Sequence, residues 1–319
     1  MTLNDTLRRI DYNALPISDY NRNYILHLLP RLDYHLEIYQ RAIRRILRSV
    51  GKPASKTILV DYGGGHGFFS LAAKMCGVGQ VIYIDINPQS VATAQAVAGQ
   101  AGFRADVYLS GDSDSLRRWC LDNGIRPDAL VGMDVIEHIY RLNNFFADLF
   151  AINPTLRMLF TTGSNPDNPL VARRLHRIMQ EDELGYAGQV GFRQMRREHL
   201  AQVLEVPEKK LDFWAAETRG LVFDDLRSAV ESGSNPNLPD DPYNTCDPRT
   251  GSWTERILPI GAYRALLSQP HGATLHVRNG RYNTHRSGIK GLLSLPLNLL
   301  LHMPCLRCLA PYIVLEINL

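Results

Sequence analysis

Asp61, Gly63, Gly65 and Gly67 alternate between an apolar run, Thr57–Val60, and a segment of helix-forming composition that starts at Phe68. Glycines let a backbone approach a ligand closely, and a helix start presents unpaired N–H groups. Strand, glycine turn and helix start together form a nucleotide-type binding element. The spacing narrows the ligand. A dinucleotide fingerprint needs G-x-G-x-x-G, but Phe68 stands at the third glycine position, and Gly-Lys-Ser/Thr is absent too. Downstream, single carboxylates close further apolar runs: Asp85 after Gln80–Ile84, Asp112 after the run that begins at Ala105, and Asp134 after Ala129–Met133. At a strand end beside the glycine turn, Asp85 can accept both hydroxyls of a ribose. Asp134 opens the run Asp-x-x-Glu-His, with Glu137 and His138. His138 is the candidate general base, because imidazole titrates near neutrality and this one lies at the ligand end of a strand. Each residue also has a structural use: Asp85 and Asp112 as helix caps, His138 as a partner for Glu137.

These residues need a frame. From 57 to 163 strand-like and helix-like segments alternate, which predicts an α/β fold with a parallel sheet and helices on both faces. Residues 1–50 read as an N-terminal helical segment. Leu36, Tyr39, Ile43, Ile46, Leu47 and Val50 recur at three- and four-residue spacing, and Gly51-Lys52-Pro53 stops the helix. This segment, with Tyr20 and Tyr24, is expected to pack on the core and is placed to cover a ligand. A polar, Pro/Gly-rich loop runs from Glu231 to Ser252 and is too long for a simple connection. Tyr243 and Trp253, in and beside it, are candidate substrate contacts.

Composition bounds the rest. At 319 residues, 45% hydrophobic and 21% charged, the chain suits one large core with an insertion. A formal net charge of +3 carries no polyanion signal, so nucleic acid is not expected as a partner. The Arg173, Arg174, Arg177, Arg193, Arg196 and Arg197 cluster could meet phosphates but equally reads as a solvated helical face. Five scattered cysteines argue against a disulfide framework, and Cys305 and Cys308 are expected as core thiols. The N-terminus lacks a basic region followed by an apolar run, so the expected location is cytoplasmic. The leucine-rich tail, Leu292–Leu301, falls short of a spanning helix and is expected to pack in the core. Shallow membrane contact is the minor alternative, with Arg278, Arg281, Arg286 and Lys290 supplying cations. No oligomeric state follows from the sequence.

The arrangement acid-x-G-x-G-x-G resembles the first motif of the class I, Rossmann-like S-adenosylmethionine-dependent methyltransferases. Asp85, the Gly111-Asp112 pair and the Asp134-x-x-Glu137-His138 run match further elements of that family in order, the last being similar to quinone-biosynthesis O-methyltransferases. The resemblance covers residues 55–165 closely. It implies a seven-stranded, mostly parallel sheet whose last strand, Ile313–Ile317, runs antiparallel between the fifth and sixth. Lys210–Glu217 is then the expected sixth strand. The implied division is an N-terminal helical segment (1–50), a cofactor-binding core (51–220), a C-terminal insertion (221–310) and the final strand (311–319). The resemblance also implies S-adenosylmethionine as cofactor and S-adenosylhomocysteine as product, held by Asp61, Gly63, Gly65, Gly67, Asp85, Ile86, Asp112, Ser113 and Asp134. Asp112 would accept from the adenine amino group. The implied acceptor is a small molecule or a glycan or lipid precursor, with no metal. Two other readings stay open. One is a metal-dependent RNA 2′-O-methyltransferase drawing on Glu137, His138 and a downstream histidine, His176 or His199. The other is a cofactor-binding scaffold without turnover.

Overall fold

A computed structural model describes residues 2–204, 207–235, 240–268, 272–286 and 288–318. The N-terminal layer holds α1 (Leu3–Arg9), α2 (Asp19–Leu28) and α3 (Leu32–Val50). Thr2 caps α1 through a reciprocal bond with Asp5, and Ser18 caps α2. In α3, Leu32, Leu36, Tyr39, Ala42, Ile43 and Ile46 form the buried stripe, and Gly51 ends the helix at φ +71°.

Strand and helix then alternate: β1 (Ile58–Tyr62), α4 (Phe68–Met75), β2 (Gln80–Asp85), α5 (Pro88–Ala101), β3 (Val107–Ser110), α6 (Ser113–Asp122), β4 (Ala129–Met133), α7 (Leu142–Ile152) and β5 (Arg157–Thr162). Next come α8 (Pro169–Leu184), α9 (Phe192–Val203), α10 (Glu208–Glu217), α11 (Phe223–Ser232) and α12 (Ile260–Ser268). The sheet is completed by β6 (Thr274–Asn279), then α13 (Ile289–Leu300), then β7 (Ile313–Asn318). The strand order is β3-β2-β1-β4-β5-β7-β6. β1 to β5 are parallel, and β7 is antiparallel to both β5 and β6. This is the expected seven-stranded α/β sheet.

Two cores follow from the period-two alternation of the strands. Leu59, Val81, Tyr83, Val131 and Leu159 face α1, α3, α4 and α5. Their neighbours Val60, Ile82, Ile84, Leu130 and Phe160 face α6, α7 and α12. Strand order reverses between β1 and β4, which opens a crevice at their carboxyl ends. The glycine turn and Asp134 both lie there.

Four expectations need correction. Lys210–Glu217 lies within the helix α10, whose Leu211 and Ala215 are buried one turn apart. The sixth strand is β6, inside the 221–310 segment read as an insertion before the sheet is completed. The tail leucines do not fill a core: Leu292, Leu293, Leu295 and Leu299 are exposed on α13. Cys305 and Cys308 are exposed as well. Residues 236–239 of the long polar loop and the Lys290 side chain lie outside the described residues.

Candidate active site

The glycine turn takes a left-handed path, with Gly63 at φ +68°, Gly65 at +52° and Gly67 at +80°. Close packing excludes side chains at its neighbours. A Cβ on Gly63 would stand 2.5 Å from Val135 Cγ2, and one on Gly64 2.5 Å from the Tyr83 ring. At Gly65 a Cβ would meet nothing within 4 Å. This is the point where the backbone lies open to a ligand.

Asp61 ends β1 beneath the turn. It is buried and accepts a 2.6 Å hydrogen bond from the Ser70 hydroxyl. Burial, helped by the nearby charge of Asp85, pushes its carboxyl up to about 7. Asp85 joins the turn to β2: its carboxylate accepts from the Gly65 N–H at 2.9 Å and the Asn87 N–H at 2.8 Å. Burial raises its carboxyl, while those two donors pull the other way. Each oxygen keeps a lone pair, so Asp85 can still accept from hydroxyls. Ile86 beside it is 74% exposed and offers apolar surface at the crevice end.

Asp112 caps α6, accepting from the Ser115 N–H at 3.0 Å and the Ser115 hydroxyl at 2.9 Å. Its slight burial works against these donors, yet they hold the carboxyl below its usual range. Ser113 is buried and donates to Asp148 at 2.7 Å. Asp112 thus makes the helix-capping contact that the sequence left open.

Asp134 has φ +50°, a conformation that costs a non-glycine residue energy and clusters at functional sites. Its N–H donates to the Thr161 carbonyl at 3.1 Å, and the Thr161 hydroxyl donates back to its carboxylate at 3.2 Å. Solvent reaches Asp134 through the pocket, yet protein surrounds it closely. Burial, then the charge of Glu255, lifts its carboxyl above the usual range. Glu255 has φ +50° as well. Glu137 is buried; it accepts from the Gly163 N–H at 3.3 Å through one oxygen, and the other has no hydrogen-bond partner among the described residues. Burial and Asp134 push its carboxyl well up, so it favours the neutral form.

The pocket beside the turn is lined by Asp61, Gly63, Gly64, Gly65, Met133, Asp134, Thr161 and Gly163. Its roof is N-terminal: Tyr24, Leu28, Tyr34, His35, Ile38 and Tyr39, joined by His66 and Tyr312. Tyr24 stacks on His66, whose buried imidazole is held down to about 3. Sequence reasoning missed Tyr34, His35, His66 and Tyr312. For the first two, the helical period of residues 32–50 carried the only local signal.

His138 is not among the residues lining that pocket. Its Nδ1 lies 2.7 Å from the Trp253 carbonyl. A carbonyl only accepts, so Nδ1 carries the proton and Nε2 of the neutral ring is left with its lone pair. Trp253, expected near substrate, is a buried prop for His138, and Tyr243 stacks on His176 outside the pocket. His176 also bonds Asp241, and His199 stacks on Phe223, so neither joins His138. Among the described residues no group of three or more His, Cys, Asp or Glu is arranged to hold a metal. Arg196 of the arginine cluster is buried against Glu183, and Arg197 bonds Asp212.

No family model matches the chain. A stretch of 66 residues is 38% identical to the ribosomal protein L11 methyltransferase of Symbiobacterium thermophilum, covering 21% of each chain. Another, of 65 residues, is 40% identical to the protein of that name from Alteromonas mediterranea, covering 20% of this chain and 22% of the relative. The chain thus matches about a fifth of the length of these curated relatives. Sheet order and glycine turn give the chain the Rossmann-like fold of the class I S-adenosylmethionine-dependent methyltransferases, and over that fifth of its length it is similar in sequence to methyltransferases. Among solved structures, a Mesorhizobium loti S-adenosylmethionine-dependent methyltransferase aligns over 86% of this chain and 95% of its own, at 15% identity and TM-score 0.41. The plantazolicin methyltransferase solved with SAH aligns over 99% and 95%, at 10% identity and TM-score 0.43.

Proposed function

We propose that this protein transfers a methyl group from S-adenosylmethionine to a small acceptor, or the small end of a glycan or lipid precursor, bound under its N-terminal helices. The observation that carries this reading is the open, left-handed Gly65 between buried Asp61 and the Asp85 carboxylate, facing an aromatic-roofed pocket. The residues present fit the cofactor. Gly63 to Gly67 would take its methionine end, with Asp61 opposite the cationic groups. Asp85 would accept from the ribose hydroxyls beside Ile86, and Asp112 and Ser113 would border the adenine. The cofactor supplies a methyl group activated by positive sulfur, so alignment does much of the catalytic work.

The acceptor would enter between Tyr24, Tyr34, Tyr39 and Tyr312, whose phenol rings offer apolar faces and polar hydroxyls to it. Where the acceptor must lose a proton, two groups of this chain can take it. Asp134 lines the pocket with a raised carboxyl, which makes it the better base of the pair. His138 remains the candidate proposed from sequence, with Nε2 free to accept, one 3₁₀ turn beyond Asp134.

Calorimetry with S-adenosylmethionine and S-adenosylhomocysteine, followed by transfer of labelled methyl to an acceptor panel, tests the proposal. Binding of both with turnover supports it. Binding without turnover on any acceptor leaves the scaffold reading standing, and no binding at millimolar cofactor removes the family's chemistry from this chain. Loss of activity in EDTA would favour the metal-dependent alternative.

A further inference from the structure

Helix α13 is built inside out. Its buried positions are Gly291, Ser294 and Asn298, one face at spacings of three and four. The outward positions are Ile289, Leu292, Leu293, Leu299 and Leu300, from 45% to 72% exposed, with Leu295 at 59% beside them. Ordinary surface helices do the reverse. Hydrogen bonds fix this orientation. Asn298 accepts from the Tyr282 N–H at 2.7 Å and donates to the Tyr282 carbonyl at 2.9 Å. A Cβ on Gly291 would stand 1.9 Å from the Arg286 carbonyl, so the helix backbone lies directly on the preceding loop. The polar side chains are spent on docking, and the leucines cannot turn inward.

An apolar stripe of this size on one helix marks a contact surface. The surrounding charge selects its occupant. From Arg256 to Leu315 the sequence holds no Asp or Glu, while Arg264, Arg278, Arg281, Arg286 and Arg307 lie within that span. Arg278 and Arg307 each pair with a carboxylate from outside it, Glu316 and Asp167. Arg286 is exposed. The helix is too short to span a bilayer, and no helix among the described residues is long and apolar enough to do so. Apolar side chains on one face of a helix, within a segment that has no acidic residue of its own and carries exposed Arg286 just before the helix, suit the interface of an anionic membrane.

We propose that α13 lies in the plane of an anionic lipid surface with its Leu292–Leu299 face among the acyl chains. This stands on the helix itself and is independent of the methyl-transfer reading. The test is vesicle co-sedimentation of the full chain on phosphatidylcholine with and without phosphatidylglycerol, at low and high salt. Expected are binding to the anionic vesicles, release by salt, and an about tenfold or larger loss for the triple variant Leu292→Ser, Leu293→Ser, Leu299→Ser. Arg286→Gln should weaken only the preference for anionic vesicles, by about fivefold. Unchanged calorimetric binding of S-adenosylmethionine shows that the variants are folded; if the wild-type chain binds none, an unchanged unfolding midpoint serves instead. Absence of wild-type binding to either vesicle overturns the proposal, as does a triple variant that binds as well as wild type. Sedimentation showing a dimer that the triple variant dissociates, without vesicle binding, assigns the face to a second copy and overturns it too.

Discussion

Lying buried beneath the glycine turn with its carboxyl raised to about 7, Asp61 sits at a protonation midpoint near neutral pH. A cationic ligand favours the charged carboxylate, so its affinity is complete above pH 7 and is lost as pH falls through 7. One unit below the midpoint about one carboxyl in ten is ionised. The dissociation constant for S-adenosylmethionine should therefore rise about tenfold between pH 8 and pH 6. His66, held down to about 3, stays neutral throughout and adds nothing. Calorimetry at several pH values measures this slope, and Asp61→Asn should flatten it; a slope unchanged in that variant would move the effect to Asp85. The glycines separate fold from binding. Gly63→Ala puts a methyl group 2.5 Å from Val135 at φ +68° and should cost about 2 kcal/mol or more of stability. Gly65→Ala has room and should cost only about 1 kcal/mol, yet its methyl group stands where the ligand would lie. Denaturation and calorimetry on both variants should show one mainly unfolding and the other mainly losing cofactor. Asp134→Asn should reduce turnover more than His138→Ala, because only Asp134 lines the pocket.

Between elements, a buried polar joint outside the pocket centres on Arg196 of α9. It donates to Glu183 on α8 at 2.6 Å and to the Ala215 carbonyl on α10 at 3.0 Å. Thr245 completes the network by donating to the second Glu183 oxygen at 2.6 Å. Arg196→Ala leaves a buried carboxylate unpaired and should destabilise by about 3–5 kcal/mol in urea unfolding. A cost under about 1 kcal/mol would mean that water reaches the pair. In sequence this arginine looked like part of a solvated face, because its neighbours Arg193 and Arg197 are polar too. The elements legible beforehand were those buried on both faces. β1, β2, β4 and β5 announce themselves as continuous apolar runs ended by Gly or Asp, whereas β3, half-buried at the sheet edge, was marked by the Gly111-Asp112 pair that follows it. The edge strand β6 alternates exposed Thr274, His276 and Arg278 with half-buried Leu275 and Val277, which weakens its signal. α10 was misread because Phe213 and Trp214 suggest a strand, whereas buried Leu211 and Ala215 impose the helical period. α13 defeats composition altogether, since its leucines face out.

For the whole molecule, the cofactor side of the site was readable because its acids sit at strand ends next to local turn signals. The acceptor side was not, because Tyr34, His35 and Tyr312 come from opposite ends of the sequence and meet only in the folded chain. That long-range assembly has a measurable consequence. The Asn21 amide donates to Thr93 at 3.0 Å, tying α2 to α5, and the Tyr34 hydroxyl donates to the Arg281 carbonyl at 2.6 Å. Ligand in the pocket should therefore stabilise the N-terminal layer and the sheet together. At a concentration 100 times its dissociation constant, a ligand adds about 2.7 kcal/mol, roughly 4 °C of melting temperature for a chain of this length. Thermal unfolding with S-adenosylmethionine should show one cooperative transition raised by that amount. Limited proteolysis should find cleavage within residues 1–50 slowed in parallel, and Gly65→Ala should remove both effects. A raised midpoint that left the N-terminal layer equally cleavable would mean that α2 and α3 do not close over the bound ligand, and the acceptor site would then have to be sought away from their tyrosines.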